Sequence, residues 1–241
     1  MNPHAGRVKV HWSNWVVRDC GQPTPLAQRR LAPAALHRHL AFMSATLDTL
    51  LGEIRGCRVC AQDFRDLGHE PRPFVAASRE ASVLIIGQAP GSKVHASGIG
   101  WDDDSGDRLR DWLGIDRETF YDATKIAQMP SGFCYPGKGN RGDLPPRREC
   151  APLWHERLLA QMPRIELTLL VGQYAQKRYL PRGFARNLTE TVRQWREVPE
   201  GLFPLPHPAW RSRLWMQKHP WFEAEVLPAL RERVQRALQR L

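Results

Sequence analysis

The sequence predicts an α/β fold: a three-layer α/β/α sandwich with a central, mainly parallel sheet of four strands. Two observations predict it. Short apolar runs rich in β-branched residues alternate with stretches of helical periodicity, which is typical of a parallel sheet covered by helices. Two of these runs, SVLIIG and LTLLVG, end abruptly at a glycine, as buried strands do where they turn into a loop. In such folds, ligands bind at the carboxyl ends of the strands.

The predicted elements begin near residue 40. Residues 1–39 mix proline, glycine and arginine with Trp12 and Trp15 and show no sustained period, so we interpret them as an N-terminal extension. Residues 40–241 are long enough for a single domain with a substantial core. The predicted elements, in chain order, are a helix over 47–54, a strand over 82–86, a helix opening at 108, a strand within 119–130, a helix over 149–162, a strand from 166 to 171, a strand ending within 201–208, and an amphipathic helix over 220–238 that Pro228 interrupts.

The chain is strongly basic. It has 35 Lys and Arg residues against 25 Asp and Glu, a formal net charge of +10, and a basic surface is typical of nucleic-acid-binding proteins. The alternative is a solvated, arginine-rich surface without such a partner. No apolar stretch approaches the ~18 residues that span a bilayer, and the N-terminal residues lack the pattern of a secretory signal. We therefore expect a cytoplasmic protein with no membrane association, and we expect a monomer.

Four of the five cysteines form a pattern. Cys57 and Cys60 make a C-x-x-C, Cys134 and Cys150 follow far downstream, and Cys20 stands apart in the extension. In a cytosolic protein such a set argues against disulfides and for a metal site or a catalytic role. Four thiolates suit a [4Fe–4S] cluster, and the alternatives are a tetrahedral zinc ion and four reduced, buried cysteines without metal.

Two loops directly follow predicted strands. Residues 87–91, Gly-Gln-Ala-Pro-Gly, have the composition of a sharp turn that points backbone N–H groups at a ligand. Residues 207–210, His-Pro-Ala-Trp, are followed by Arg211 and Arg213. Arginines beside large apolar side chains suit a device that holds phosphates and wedges into a duplex. The alternative is a loop histidine whose neighbouring tryptophans pack on the terminal helix.

These motifs resemble those of the uracil-DNA glycosylase superfamily, and specifically its iron–sulfur branch (families four and five). That branch opens with G-E-A-P-G followed by G-x-P-F, and this chain has GQAPG at 87–91 and GIGW at 98–101 with the same offset. The segments LLVGQYAQ at 169–176 and HPA at 207–209 match the later motifs of the branch. The resemblance covers the chain from about Leu47 to the C-terminus.

The resemblance includes the cysteines. In that branch a C-x-x-C joins two later cysteines that are sixteen positions apart, with Asn-Arg and a proline between them. Cys134 and Cys150 have this spacing, and Asn140, Arg141 and Pro145 lie between them. The resemblance therefore implies that the four patterned cysteines hold a structural [4Fe–4S] cluster.

The resemblance also implies that residues 40–241 are a catalytic domain, which flips uracil out of DNA and hydrolyses its N-glycosidic bond to leave an abasic site. Trp101 stands where the branch places its stacking phenylalanine, and the backbone of Gln88 and Ala89 is expected to meet the uracil edge. His207 carries over as the donor that stabilises negative charge on the uracil O2. The residues expected to contact DNA are Pro90, Gly91, Ser92, Trp210, Arg211 and Arg213.

The chain departs from the branch in its acid. The acidic residue of G-E-A-P-G is Gln88 here, and glutamine cannot act as a general base, so another group must handle the attacking water. We favour Asp107, which the sequence places just before a helix; its alternative is a plain helix-capping role. The nearby candidates are His95, Asp102, Asp103, Asp104 and Asp107.

A second departure concerns base recognition. The branch has a uracil-reading asparagine after the second strand, whereas residues 123–126 here are Ala-Thr-Lys-Ile, in which Lys125 is the expected donor to the uracil O4 and solvent exposure is its alternative. Uracil is the expected base, with hypoxanthine and xanthine as alternatives. Two other functions stay open. One is a weakly active or inactive DNA- or abasic-site-binding protein on the same fold. The other, a nucleotide-binding α/β protein, explains the glycine loop but neither the HPAW loop nor the cysteines.

Overall fold

A parallel sheet forms the centre of the protein. The computed structural model describes residues 46–140, 142–184 and 187–239, so the predicted extension 1–39 lies outside the described residues. The strands in the described part are β1 (Val83–Ile86), β2 (Ile126–Gln128), β3 (Lys138–Gly139), β4 (Gly142–Asp143), β5 (Leu167–Val171) and β6 (Leu202–Leu205). Four of them form one sheet in the order β2–β1–β5–β6 with every neighbouring pair parallel, while β3 and β4 form a small antiparallel hairpin. The predicted α/β fold with a four-stranded parallel sheet is confirmed.

Helices cover both faces of this sheet. In the described residues they are α1 (Leu47–Arg55), α2 (Ala61–Asp66), α3 (Ser92–Ser97), α4 (Asp104–Leu113), α5 (Arg117–Tyr121), α6 (Glu156–Ala160), α7 (Gln173–Tyr179), α8 (Leu188–Arg193), α9 (Ser212–Lys218) and α10 (Leu227–Leu238), with π-helical turns at Ala151–His155 and Phe222–Val226. Pro228 lies in the first turn of α10, directly after the π-helical turn Phe222–Val226, so the helical run continues without a gap from 221 to 238. The interruption predicted at Pro228 is therefore a change from π-helical to α-helical pairing just before the proline and not a break in the helix. None of the helices in the described ranges is long and apolar enough to cross a membrane.

The four strands of the parallel sheet are buried on both faces, which explains their nearly continuous apolar sequences. Successive side chains of β1 alternate between two hydrophobic cores. Leu84 and Ile86 pack in the core that contains α1, whereas Val83 and Ile85 pack in the core that contains α10. The register places Leu84 beside Ala127 on one side of β1. The sheet is therefore the middle layer of the predicted sandwich.

Because the four strands are parallel, the loops that follow them meet at one edge of the sheet. β1 leads into residues 87–91 and β6 leads into His207. Gly172 follows β5 with φ +84°, and a Cβ atom built on it would lie 3.5 Å from the Cβ of His207. Glycine at this position allows the chain after β5 to turn tightly beneath His207.

Candidate active site

A cleft of about 540 Å³ opens at the carboxyl edge of the sheet. Both loops that the sequence singled out line it: Gly87 to Gly91 after β1, and His207, Ala209, Trp210 and Arg211 after β6. Trp101 and the end of β2 complete the walls. The structure thus brings together motifs that are more than a hundred residues apart in sequence.

The loop after β1 is held rigidly to the segment after β2. The Ser131 amide donates to the Gly87 carbonyl at 2.9 Å, and the Gly132 amide donates to the Gln88 carbonyl at 3.0 Å. The amides of Gln88 and Ala89, in contrast, have no hydrogen-bond partner among the described residues. Two unpaired N–H groups on a fixed loop beside a cleft are donors for a ligand's carbonyl oxygens.

Trp101 forms a flat wall of the cleft. A Cβ atom on Gly87 would lie only 2.9 Å from Cζ2 of Trp101, so glycine is required where the indole lies against the loop. The Trp101 and His207 rings have centroids 5.6 Å apart and planes inclined by 32°. The cleft therefore offers an aromatic surface beside an imidazole, an arrangement on which a flipped base can stack.

His207 is fixed through the loop that carries it. The Arg108 guanidinium on α4 donates to the Pro208 carbonyl at 2.9 Å, and the Ala209 amide donates to the His207 carbonyl at 2.8 Å. Burial lowers the pKa of His207, and this effect outweighs nearby carboxylates that act in the opposite direction. The imidazole is therefore neutral at neutral pH and offers one N–H donor.

Two carboxylates line the cleft within the described residues. Asp103 precedes α4, and its Oδ1 accepts a hydrogen bond from the Gly106 amide at 2.9 Å, which caps the helix. Asp143 lies on β4, and its Oδ2 would be 3.9 Å from a Cβ atom on Gly91. Both carboxylates act to raise the pKa of His207 against the effect of burial, which places their charge near the imidazole. Sequence reasoning included Asp103 among the candidates and missed Asp143, which no motif marks.

The family comparison agrees with this geometry. The family model for the uracil DNA glycosylase superfamily matches residues 74–231, about two thirds of the chain. The chain belongs to the uracil DNA glycosylase superfamily. The lining of the cleft, from Phe74 to Arg211, lies entirely within the matched range. Membership supports a base-excision role on DNA.

Within this superfamily fold, Asp107 does not reach the cleft. It lies in the first turn of α4, three-quarters exposed, and its carboxylate pairs with the Arg110 guanidinium. The prediction that a helix begins just after Asp107 is wrong, because Asp103 caps the helix and Asp104 begins it. Asp107 is therefore paired with Arg110 and lies outside the lining of the cleft. The carboxylate of this segment that lines the cleft is that of Asp103.

Lys125 also lies away from the cleft. It precedes β2 at the amino edge of the sheet and pairs with Asp122 at 3.2 Å. The strand ends at Gln128, which lines the cleft. Its Nε2 donates to the Phe120 carbonyl at 3.4 Å, and its buried Oε1 has no hydrogen-bond partner among the described groups. β2 therefore ends beyond Lys125, and Gln128 is the residue at its end that lines the cleft.

The remaining acid and base candidates are engaged elsewhere. The rings of His69 and Tyr135 lie 5.3 and 5.7 Å from that of His95, whose pKa is lowered by burial, and His95 is outside the lining of the cleft. Asp102 pairs with Arg117 at 2.7 Å, and Asp104 pairs with Lys93 at 3.5 Å. None of the three is positioned by these contacts to meet a ligand in the cleft.

The expected DNA contacts surround the mouth of the cleft. Trp210 is 69% exposed, and the Arg211 guanidinium lies over its ring at 5.3 Å. Pro90 and Gly91 line the cleft. Ser92 opens α3 and Arg213 lies on α9, both outside the lining and exposed to solvent. An exposed indole flanked by arginines at the cleft mouth is compatible with the wedge that the sequence suggested.

The four patterned cysteines surround a second cavity. Cys57, Cys60, Cys134 and Cys150 all line it, with Arg147, Phe133 and Trp154. All four are free thiols, and the Phe133 amide donates to Sγ of Cys150 at 3.5 Å. Burial raises the pKa of Cys134, and the other three cysteines raise it further, so their sulfurs lie near that of Cys134. Cys57 and Cys60 precede the range matched by the family model.

Four soft donors around one cavity fit an iron–sulfur cluster. No group of three or more His, Cys, Asp or Glu side chains in the described ranges is arranged to hold a metal ion. A [4Fe–4S] cluster is larger than one ion, and each cysteine binds a different iron, so its ligands stand farther apart than the sulfurs around a single zinc. The four thiols around one cavity are the donor set that such a cluster would need.

Proposed function

We propose that this protein excises uracil from DNA by hydrolysing the bond between the base and the deoxyribose. The observation that carries the proposal is the single cleft in which the loop after β1, the Trp101 ring and His207 meet. Membership in the uracil DNA glycosylase superfamily supports the same chemistry. Each of the three parts of the cleft has a distinct task in that reaction.

The base is recognised on its face and on its edge. A uracil turned out of the helix stacks on Trp101 and meets the unpaired amides of Gln88 and Ala89 with its carbonyl oxygens. Lys125, the expected donor to the uracil O4, lies outside the cleft, whereas Gln128 lines it. The unpartnered Oε1 of Gln128 is an acceptor and pairs with the N3–H of uracil instead of with O4. Thymine, hypoxanthine and xanthine carry the same N–H next to a carbonyl, so all three are the competing substrates to test.

The chemical step separates charge. As the C1′–N1 bond breaks, its electron pair leaves with the uracil, where the negative charge gathers on O2, and the sugar becomes an oxocarbenium cation. The neutral His207 donates its N–H to O2 and stabilises the leaving anion, as an oxyanion-hole donor does. Water then forms a bond to C1′ and loses a proton, and the uracil anion gains one.

We assign the water to Asp103. Its Oδ1 is fixed by the Gly106 amide, which leaves Oδ2 to accept a hydrogen bond from water. A carboxylate there also stabilises the cationic sugar electrostatically. Asp143 faces the same cleft from the hairpin and adds negative charge near the same centre. These two groups supply what Gln88 cannot.

We further propose that Cys57, Cys60, Cys134 and Cys150 hold a [4Fe–4S] cluster with a structural role. When bound, the cluster would cross-link the segment after α1 to the segment that carries the β3–β4 hairpin, because Cys134 and Cys150 flank that hairpin. Arg147, which pairs with Glu149 at 2.8 Å and lines the cavity, adds a positive charge beside the sulfurs. Iron and acid-labile sulfide analysis of anaerobically purified protein tests this; zinc in place of iron, or no metal, would contradict it.

Base release from a duplex with a single uracil tests the catalytic proposal. After incubation, alkali cleaves the strand only where a base has been lost. Parallel strands with thymine, hypoxanthine or xanthine define specificity, and His207→Ala is the matched inactive variant. We expect scission at uracil that is lost, about 100- to 1000-fold, in His207→Ala. No scission on any strand, with binding still seen by gel shift, would replace the proposal with the DNA-binding alternative.

A further inference from the structure

Trp101 has an unusual backbone. Its φ is +57°, and it is the only non-glycine residue with positive φ in the described part of the chain. A bulky side chain in this left-handed region is strained and persists only where surrounding contacts enforce it. Strain of this kind, in a residue that forms a wall of the cleft, points to contacts that hold the indole in one orientation.

Those contacts converge on the Trp101 carbonyl. The Tyr121 hydroxyl donates to it at 3.2 Å, and the Arg110 guanidinium donates to it at 3.3 Å through Nη1. The same Nη1 also donates to the Tyr121 hydroxyl oxygen at 3.3 Å. On the other side, a Cβ atom on Gly106 would lie 1.7 Å from the Trp101 carbonyl oxygen, so only glycine fits there. The carbonyl is therefore enclosed by two donors and one glycine.

The two donors are themselves fixed. Arg110 is only 7% exposed, pairs with Asp107 through Nη2, and lies 5.1 Å from the centroid of the Phe120 ring. The Arg117 guanidinium covers the Tyr121 ring at 4.9 Å. Burial raises the pKa of Tyr121, which keeps its hydroxyl protonated and able to donate. None of these side chains lines the cleft, so each acts at a distance from a bound base.

We infer that Arg110 and Tyr121 are positioning residues that hold Trp101 in its left-handed conformation, so that its indole is ready to stack on the flipped base. Asp107 belongs to the same set, because it holds Arg110 in place. Without the two donors the Trp101 backbone relaxes toward ordinary φ values, and the ring leaves its place against Gly87 and His207. The inference rests on the proposed role of Trp101 in base stacking.

Tyr121→Phe is the sharpest test, because it removes one oxygen and keeps the ring. We expect kcat/KM for uracil release to fall about 3- to 10-fold, the loss of one buried hydrogen bond. The matched control is Tyr174→Phe, an exposed tyrosine on α7, which should leave kcat/KM unchanged. A second readout is the ¹⁹F spectrum of protein labelled with 5-fluorotryptophan, in which the Trp101 resonance is assigned as the one missing from Trp101→Phe. This resonance should shift or broaden in Tyr121→Phe and not in Tyr174→Phe.

A double-mutant cycle separates positioning from a general structural effect. Glycine adopts positive φ without strain, so Trp101→Gly removes both the strain and the ring. In that background Tyr121→Phe should leave the residual activity unchanged within about twofold. If Tyr121→Phe lowered kcat/KM by the same factor in the wild-type and Trp101→Gly backgrounds, the inference would be overturned. A Tyr121→Phe protein with a lower Tm but an unshifted resonance and normal kcat/KM would overturn it as well. A wild-type protein that releases no base would overturn the proposed function instead, whereas the ¹⁹F comparison still reports whether Tyr121 orients Trp101.

Discussion

Lowering the pH from 7 to 5 should cost this protein about 2 kcal/mol of folding free energy through one side chain, His155. His155 is fully buried and lies between the Pro130 carbonyl, 3.2 Å from Nε2, and the Tyr179 hydroxyl at Nδ1. A neutral imidazole satisfies both contacts, donating to Pro130 and accepting from Tyr179. Burial lowers the pKa of His155 to about 3.

The sign follows from the unfolded chain. There the imidazole has its ordinary pKa of about 6.5, so at pH 5 the unfolded state binds a proton that the folded state excludes. Stability through His155 is therefore complete above about pH 6.5 and falls as the pH drops toward 3. The pKa of the unfolded chain lies about 1.5 units above pH 5, and at about 1.36 kcal/mol per unit this difference gives about 2 kcal/mol.

Urea unfolding of wild-type protein and of His155→Gln, each at pH 7 and pH 5, measures the effect. The variant loses stability at both pH values, but its loss between pH 7 and pH 5 should be smaller than that of the wild type by about 2 kcal/mol. Tyr179→Phe removes a partner of the imidazole and keeps the imidazole itself, so it should retain most of the wild-type pH dependence. Equal pH dependence in the wild type and His155→Gln would refute the reasoning.

Three further predictions concern the cleft. Asp103→Asn removes the charge but keeps the helix cap, because Asn caps a helix as well as Asp does. We therefore expect kcat to fall about 10- to 1000-fold at unchanged Tm. An unchanged kcat would remove Asp103 from the mechanism. The activity of the wild type should be constant near neutral pH and should fall at acid pH as His207 gains a proton. In Asp103→Asn this acidic fall should occur at lower pH, because Asp103 raises the pKa of His207. A fall at the same pH in both proteins would show that another group titrates. Gly87→Ala puts a methyl group 2.9 Å from the Trp101 ring and should lower kcat/KM at least ~10-fold. Gly52→Ala, whose methyl group meets no atom within 4 Å, is the control and should leave kcat/KM unchanged. Equal kcat/KM in the two variants would mean that the indole can move aside without loss of activity.

The part of the site that sequence could predict is the part that follows strands. The runs SVLIIG and LTLLVG contain β1 and β5, which Gly87 and Gly172 directly follow. Each apolar run can be recognised as a strand from its own residues alone. Once parallel strands are inferred, their following loops must share an edge, which places Gln88 beside His207. The spacing of the cysteines is visible in the sequence whatever the path of the chain between them, and the four of them line one cavity; the cluster itself stays a prediction.

The part that sequence could not predict depends on weak elements and on pairing. β2 has only three residues and ends at Gln128, too short a run to show a period, so the sequence cannot locate the end of the strand and points to Lys125, which the structure places before the strand and outside the cleft lining. Asp143 reaches the cleft through a hairpin of two-residue strands, for which no pattern exists. The sequence cannot separate Asp103 from Asp107, because four acidic residues between 102 and 107 all resemble caps, and only the hydrogen bond from the Gly106 amide identifies Asp103 as the cap.

The charges of the cleft oppose those of the protein as a whole, and the proposed reaction explains both. The chain carries a net charge of +10, and arginines flank the exposed Trp210, where phosphates would be held. Inside, the lining has two carboxylates, Asp103 and Asp143, which suit a sugar that becomes cationic as the bond breaks. A protonated His207 would stabilise the departing anion more strongly, but it would repel that same sugar. In the proposed reaction, the burial that lowers the pKa of His207 and keeps it neutral would let this donor serve the leaving group without opposing the carboxylates.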